Sequence, residues 1–400
     1  MARQSAGETD AGFLWDFWYP ALRSAEVSGN QLKTAMLLEV PLVLGRTSEG
    51  AAFAMRDACP HRGIPLSYGR FDGTNLECSY HGWKFEACSG QCVEIPSLTS
   101  QDKLKVERIF AGHYPCEERD GYFWVYMNSG ARIAAARGGE TIRGEEKDSA
   151  EAQSTQRLAE SLPRVVGGGA SPSPTGASLG IAGAPKLATF SEKYRITHLA
   201  CELPSHVDQG IIGLMDPAHG PFVHQSWYWR SRHSIHEKEK KFEPIPNGFR
   251  MSPHTPSSNS APYRMLQKYT GEPVTTTIDF VLPNIRTEVI RSGKLWFSSR
   301  ATVTPVRQDL SRIDFVAAWN LLLPVWIFRM FAEKFLRQDQ ETMIQQAEGL
   351  KHNPRLMLID DADRPAKWYF GLKANLLEAR RTGAAMVHPI AGPVTLHWRS

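Results

Sequence analysis

Two short motifs of cysteine and histidine constrain this chain more than any other feature of its sequence. The first is CPHRG at residues 59–63 and the second is CSYHGW at residues 78–83, with sixteen residues between His61 and Cys78. Two thiolates and two imidazoles suit a [2Fe–2S] centre in which imidazoles replace two thiolates on one iron and raise its reduction potential. Zinc also takes two cysteines and two histidines, but zinc fingers place both cysteines before both histidines. The motifs therefore favour an iron–sulfur centre.

A second kind of metal motif lies downstream, where Asp216, His219 and His224 form the pattern D-x2-H-x4-H. Two imidazoles and one carboxylate make the facial triad of non-haem Fe(II) oxygenases, which leaves open positions on the metal. On a regular helix the two histidines would lie roughly 140° apart, at about 100° per residue. Both can bind one ion only if the helix is distorted or ends between them, and Gly220-Pro221 supplies such a break.

Together the motifs resemble those of the Rieske non-haem iron oxygenases, and the chain is similar to their catalytic alpha subunits. Respiratory Rieske proteins carry extra cysteines in both loops, where this chain has Ile64 and Tyr80. The segment 360–369 is similar to the monooxygenase branch that includes vanillate demethylase and pheophorbide a oxygenase. The resemblance implies an α+β protein, in which an all-β Rieske domain precedes a helix-grip (START-like) catalytic domain of antiparallel sheet and helices.

The resemblance also implies a role for each motif residue. The [2Fe–2S] cluster would be held by Cys59, His61, Cys78 and His81. Mononuclear Fe(II) would be held by His219, His224 and a carboxylate on a helix well downstream. For that carboxylate we expect Asp339, with Glu341 as its competitor and Asp208 as a further candidate.

Asp216 has a different expected role. Three residues before His219, it lies on the same side of a helix, so its carboxylate is expected to accept the ring N–H of His219. The resemblance implies that Asp216 also bridges to His81 of a neighbouring subunit. A helix N-cap at Asp216, followed by Pro217 at the first helical position, is compatible with this role.

Changes in residue composition along the sequence predict four regions. Residues 13–130 carry short β-like runs separated by Gly, Pro and Asp, as in an antiparallel all-β domain. Residues 131–185 contain no Phe, Tyr or Trp. This composition predicts a flexible, low-complexity insert or linker over residues 131–186. Residues 187–385 alternate strands with helices and form the predicted iron domain, and residues 386–400 form a tail.

The implied reaction takes electrons from NAD(P)H through a separate reductase or ferredoxin and uses O₂ to hydroxylate or oxidatively demethylate a hydrophobic ring compound. That compound is aromatic, or polycyclic such as a sterol. A homotrimer is expected, because a closed head-to-tail ring brings the cluster of one chain to the iron of the next. The alternative is a Rieske electron-transfer protein with a non-catalytic binding domain. The aromatic run 227–229 is a candidate pocket wall.

Composition excludes several other classes of protein. The net charge is only +4 and no stripe of Lys and Arg with interleaved aromatics occurs, so nucleic acid is not expected as a partner. The most apolar stretch, 315–331, is interrupted by Asn320, Pro324 and Arg329, which predicts no transmembrane span but leaves membrane contact open. Six cysteines without an export signal indicate metal binding in the cytoplasm, with Cys88 and Cys92 as plain small residues.

Overall fold

The computed structural model describes residues 12–130, 183–225, 232–256 and 261–400. The chain divides into two compact units. An N-terminal unit covers Trp15–Lys186, and a C-terminal unit combines the residues up to Leu14 with Leu187–Ser400. Most of the predicted insert, 131–182, and the aromatic run at 227–229 lie outside the described residues. The insert and the predicted domain limits therefore stay predictions.

The N-terminal unit consists of three antiparallel sheets. Their strand orders are β1-β11-β10, β2-β3-β4-β9 and β5-β6-β7-β8. The strands are β1 (Phe17–Arg23), β2 (Lys33–Leu37), β3 (Val40–Arg46), β4 (Ala52–Arg56), β5 (Arg70–Phe71), β6 (Asn75–Glu77), β7 (Lys84–Glu86), β8 (Cys92–Glu94), β9 (His113–Tyr114), β10 (Cys116–Arg119) and β11 (Tyr122–Met127).

The two Cys/His motifs lie in the loops that leave β4 and that join β6 to β7. Both motif cysteines belong to the hydrophobic core between these strands, where they pack with Phe53, Leu76 and Phe85. Burial of this core stabilises the fold that holds the two loops against each other.

The C-terminal unit is built on one antiparallel sheet of eight strands, in the order β12-β18-β17-β16-β15-β14-β13-β19. The strands are β12 (Arg195–Leu203), β13 (Glu237–Ile245), β14 (Gly248–His254), β15 (Thr275–Val281), β16 (Ile285–Ser292), β17 (Leu295–Arg307), β18 (Leu310–Trp319) and β19 (Val394–Arg399). The helices are α1 (Val207–Met215), α2 (Gly220–Val223), α3 (Ala261–Thr270), α4 (Val325–Leu350) and α5 (Arg364–Thr382). The α+β fold class is thus confirmed.

α4 begins at Val325, directly after Pro324 at its N-cap. The segment 386–400, expected to be a tail, contains β19, which pairs with β13 at the edge of the sheet. Among the described residues, none of the helices has the length and apolarity needed to cross a bilayer.

Candidate metal centres

The two loops of the N-terminal unit have the same backbone geometry. In the first, Cys59 N–H donates to Ile64 O at 2.8 Å and Gly63 N–H donates to Cys59 O at 2.8 Å. In the second, Cys78 N–H donates to Trp83 O at 2.8 Å and Gly82 N–H donates to Cys78 O at 3.0 Å. Each loop closes on a glycine in the left-handed region, with φ of 74° at Gly63 and 68° at Gly82. A glycine adopts this conformation without the steric cost that a Cβ would bring.

These loops bring the four predicted cluster residues together. Cys59 and Cys78 are each only 2% exposed, and the rings of His61 and His81 lie 4.5 Å apart between centroids. Nδ1 of His81 is buried and has no hydrogen-bond partner among the described residues. A buried ring nitrogen without a partner is costly unless it binds something. The donor set therefore fits a Rieske cluster.

The Cys59 thiol needs a bound cation to ionise at neutral pH. Burial raises the pKa of Cys59 to about 12, so the free side chain stays protonated at neutral pH. A bound metal ion reverses this preference, because a coordinating thiol is deprotonated outright. The indole of Trp83 stacks on the His61 ring at 4.6 Å and fixes that ring's orientation.

The second group of donors forms where α1 ends. α1 stops at Met215, a turn through Asp216 follows, and the four-residue helix α2 brings His224 back beside His219. Nε2 of His219 and Nε2 of His224 lie 3.1 Å apart. Asp339 on α4 completes the group, with Oδ1 3.1 Å from His224 Nε2 and 3.9 Å from His219 Nε2. Three such ligand atoms within 4.8 Å of one another can hold one metal ion.

The outer nitrogen of each histidine is held by the protein. His219 Nδ1–H donates to the main-chain oxygen of Asp216 at 2.8 Å. His224 Nδ1–H donates to Oε1 of Gln338 at 3.1 Å, and the His224 ring stacks on Phe335. Such contacts fix the tautomer and leave Nε2 of each ring for a metal. Sequence reasoning missed Gln338, whose only signal is its place beside Asp339.

Asp216 contacts His219 differently from the expected manner. Its carboxylate oxygen lies 3.6 Å from His219 Nδ1, whereas its main-chain oxygen makes the hydrogen bond. The carboxylate instead accepts the N–H of Ala218 at 2.6 Å. Asp216 follows the C-terminal end of α1, so the expected N-cap is wrong: the chain turns here rather than starting a helix. Burial lowers the pKa of His219, but the Asp216 and Asp339 carboxylates outweigh that effect and raise it.

The other carboxylates that were candidates for the third ligand lie elsewhere. Glu341 is exposed on α4. Asp208 accepts two hydrogen bonds from Lys373 Nζ, both at 2.8 Å, and one from the hydroxyl of Tyr369. These partners hold Asp208 in the packing of α1 against α5. Of the three candidates, only Asp339 approaches both histidines.

A large cavity of about 1490 Å³ opens beside this group of donors. Side chains of α4 and of the α1–α2 turn line one side, and the inward faces of β14 to β18 line the other. Residues of α3 and β13 also contribute to the lining. Its lining is mainly apolar, including Phe280, Phe297 and Phe335. Ligand pockets usually measure about 300–1,000 Å³, so this cavity can enclose a polycyclic molecule.

Comparison with known proteins identifies the domain that carries the two Cys/His loops. The family model of the Rieske [2Fe-2S] domain matches residues 17–107, which include both Cys/His loops. Residues 17–107 are therefore a Rieske [2Fe-2S] domain. The 3-chlorobenzoate-3,4-dioxygenase oxygenase subunit of Comamonas testosteroni is 38% identical over 130 residues, which are 32% of this chain and 30% of that protein. The 4beta-methylsterol monooxygenase of Methylococcus capsulatus is 34% identical over 115 residues, 29% of this chain and 31% of that protein.

The whole chain shares its fold with solved structures. The Pseudomonas putida NdmA mutant bound to theobromine superposes with a TM-score of 0.66 at 16% identity and covers 95% of this chain and 96% of that one. Dicamba monooxygenase gives 0.60 at 17% identity, over 92% and 98%. These likenesses confirm the predicted resemblance to Rieske oxygenases in fold. The chain matches only about three-tenths of the length of its curated relatives.

Proposed function

We propose that this chain is the catalytic subunit of a Rieske non-haem iron oxygenase. The observation that carries the proposal is the convergence of His219, His224 and Asp339 within 4.8 Å, on the wall of a large apolar cavity. Two imidazoles and a carboxylate with open positions are the donor set of Fe(II) oxygenases. The substrate is a hydrophobic ring compound, aromatic or polycyclic such as a sterol, which undergoes hydroxylation or oxidative demethylation.

Each centre has its own residues in this proposal. Cys59, His61, Cys78 and His81 hold the [2Fe–2S] cluster, and His219, His224 and Asp339 hold the iron. Bound there, the cluster would supply electron transfer and the iron would supply O₂ activation. Gln338 and the main chain of Asp216 keep the histidine rings in place. The apolar cavity wall orients the substrate and excludes water from it.

The proposal also includes the partners of the protein. Electrons originate from NAD(P)H and arrive through a separate reductase or ferredoxin. In a homotrimer, Asp216 of one chain and His81 of its neighbour link the two centres. The position of the Asp216 carboxylate supports this role. It lies beside His219 but does not accept the ring N–H, which donates to the main-chain oxygen of Asp216. A cytoplasmic location stays our prediction.

A pair of histidine variants tests the proposal. His219→Ala removes one iron ligand in the C-terminal unit, so we expect the visible Rieske spectrum to stay and substrate-dependent O₂ consumption to disappear. His352→Ala, on an exposed side chain, is the control and should behave as wild type. Reconstitution with iron under anaerobic conditions precedes both assays. Equal turnover in the two variants would defeat the proposal.

Iron content separates this function from the alternative of a Rieske electron carrier. An oxygenase binds about three iron ions per chain, whereas a carrier binds about two. His219→Ala should lower the content from about three to about two. An unchanged value near two in both proteins would favour the carrier.

A further inference from the structure

We propose that the ion pair between Arg286 and Glu288 is the polar anchor of the substrate cavity and that it selects ring compounds with a neutral hydroxyl group over those with a carboxylate. This inference rests on the proposed function and names the substrate class of the same site. It assigns specificity to two residues of the sheet, opposite the helical wall that carries the iron ligands.

The position of the pair follows from strand register. Arg286 lies opposite Phe280 on β15 and Ala301 on β17, and Glu288 lies opposite Ile278 and Ser299 in the same strands. Alternate residues of a strand face the same side of the sheet. All of these residues line the cavity. The pair therefore places two charged side chains within the mainly apolar inward face of β15 to β17.

The pair presents both a donor and an acceptor to the cavity. Arg286 Nη1 and Nη2 donate to Glu288 Oε2 at 3.1 and 3.2 Å. Within the described part of the chain, these two hydrogen bonds leave Glu288 Oε1 as an acceptor, and the guanidinium has further N–H groups. A ligand hydroxyl can donate to Oε1 and accept from Arg286 at the same time.

The charge of the pair argues against an ionic ligand. Its two charges cancel, so a carboxylate entering the cavity would meet Glu288 as well as Arg286, and an ammonium would meet Arg286 as well as Glu288. Removing such an ion from water needs an unpaired opposite charge to offset the loss of hydration. A neutral hydroxyl does not.

Two neighbouring side chains extend the anchor. Thr276 is only 3% exposed, and its hydroxyl has no hydrogen-bond partner among the described residues. His254 lies opposite Thr276 in the paired strands, and its Nδ1–H donates to Ser252 O at 3.0 Å. Its Nε2 is thereby left as an acceptor, and burial lowers the pKa of His254, which keeps the ring neutral. Both residues line the cavity and neither adds a charge.

A matched series of saturated tetracyclic probes tests the proposal: androstane, its ring-A alcohol and its ring-A carboxylic acid. Equilibrium dialysis against the full chain gives the three affinities without any turnover. We expect the alcohol to bind about tenfold or more tightly than either of the others, as a hydrogen bond to a charged group predicts. An acid that binds as tightly as the alcohol overturns the proposal, and so does the failure of the alcohol to bind.

A charge-changing variant gives a second, sharper result. Glu288→Gln leaves Arg286 without its counter-charge, so the preference should invert and the acid should bind more tightly than the alcohol. The matched control is Asp279→Asn, which breaks the ion pair with Arg250 on the opposite face of the same sheet. The control should retain the wild-type order of affinities. No inversion in folded Glu288→Gln overturns the proposal.

A double variant tests the same proposal if the Glu288→Gln variant does not fold. Arg286→Leu combined with Glu288→Met replaces the pair by apolar side chains, a change that proteins often tolerate. The alcohol and the hydrocarbon should then bind equally, and a retained preference for the alcohol counts against the anchor. O₂ consumption is measured separately. The preference for the alcohol without any O₂ consumption would refute the oxygenase but not the anchor, and the reverse result would refute only the anchor.

Discussion

At the scale of single residues, the candidate metal ligands His219 and His224 lie in a local motif, whereas the residues that orient them do not. The resemblance of the motif D-x2-H-x4-H to that of Rieske oxygenases singled out both histidines, and the intervening Gly220-Pro221 allows both rings to turn toward one point. Gln338 could not be predicted in the same way. Its contact with His224 depends on how α4 packs against the α1–α2 turn, and the two residues are 114 positions apart.

Gln338 gives the first prediction. Gln338→Ala removes the acceptor that fixes the His224 ring, so iron affinity should fall by about 10–100-fold, as for other residues that orient metal ligands. Iron titration of the apoprotein measures this effect. Gln340→Ala is the control, because Gln340 lies on the same helix but donates to Glu202 O instead. Equal affinities in the two variants would rule out an orienting role for Gln338.

The cysteines give the second prediction. Cys78 and Cys92 are equally buried, at 2% exposure each, but only Cys78 lies in a Cys/His loop. Cys78→Ser should abolish the Rieske absorption and the acid-labile sulfide, whereas Cys92→Ala should keep both. Absorption spectroscopy and sulfide analysis provide the measurement. Loss of the cluster in the Cys92 variant would reopen the assignment of its ligands.

At the scale of elements, the short β-like runs predicted within residues 13–130 correspond to the strands β1 to β11, because Gly, Pro and Asp separate them where the chain turns. β19 was missed because its partner β13 is about 150 positions away along the chain and no short-range pattern identifies such pairing. The close approach of α1 to β17 was also invisible in the sequence.

That close approach gives the third prediction. A Cβ at Gly210 would lie 2.7 Å from Val303 Cγ1 and 3.1 Å from Leu203 Cδ1. Gly210→Ala should therefore lower the free energy of unfolding by about 1–3 kcal/mol, as overpacking of a core does. Gly349 lies near the end of α4 with nothing within 4 Å of its Cβ position. Gly349→Ala should leave stability unchanged or raise it by up to about 1 kcal/mol. Urea denaturation of both variants checks the two signs.

At the scale of the whole molecule, the sequence indicated two candidate metal centres, and the residues of each candidate lie within one of the two compact units. Motifs alone could not give the cavity, because its wall is assembled from five neighbouring strands whose inward residues are scattered through the sequence. Arg286 and Glu288 were therefore unremarked in the sequence. Only strand register shows that they face the same cavity as His219, His224 and Asp339.

The proposed trimer gives the fourth prediction. Cys78→Ser lacks the cluster and Asp339→Ala lacks an iron ligand, so each variant alone should be inactive. When the two are co-expressed in equal amounts, a head-to-tail ring pairs an intact cluster with an intact neighbouring iron site at about one quarter of positions. O₂ consumption of the mixed oligomer should recover to that fraction. Activity that stays at zero would mean that electrons do not pass between chains.

The regular alternation of the sheet has one more consequence. The inward-facing positions on β14 to β18 form a grid. Neighbouring positions are two residues apart along a strand or one strand apart across the sheet. Moving a hydrogen-bonding group to the neighbouring inward position would shift a bound ring system relative to the metal. A different carbon of the ring system would then lie next to the metal. Under the proposed function, point substitutions in the sheet would therefore change which carbon of the substrate is oxidised. The backbone and the metal ligands would stay the same.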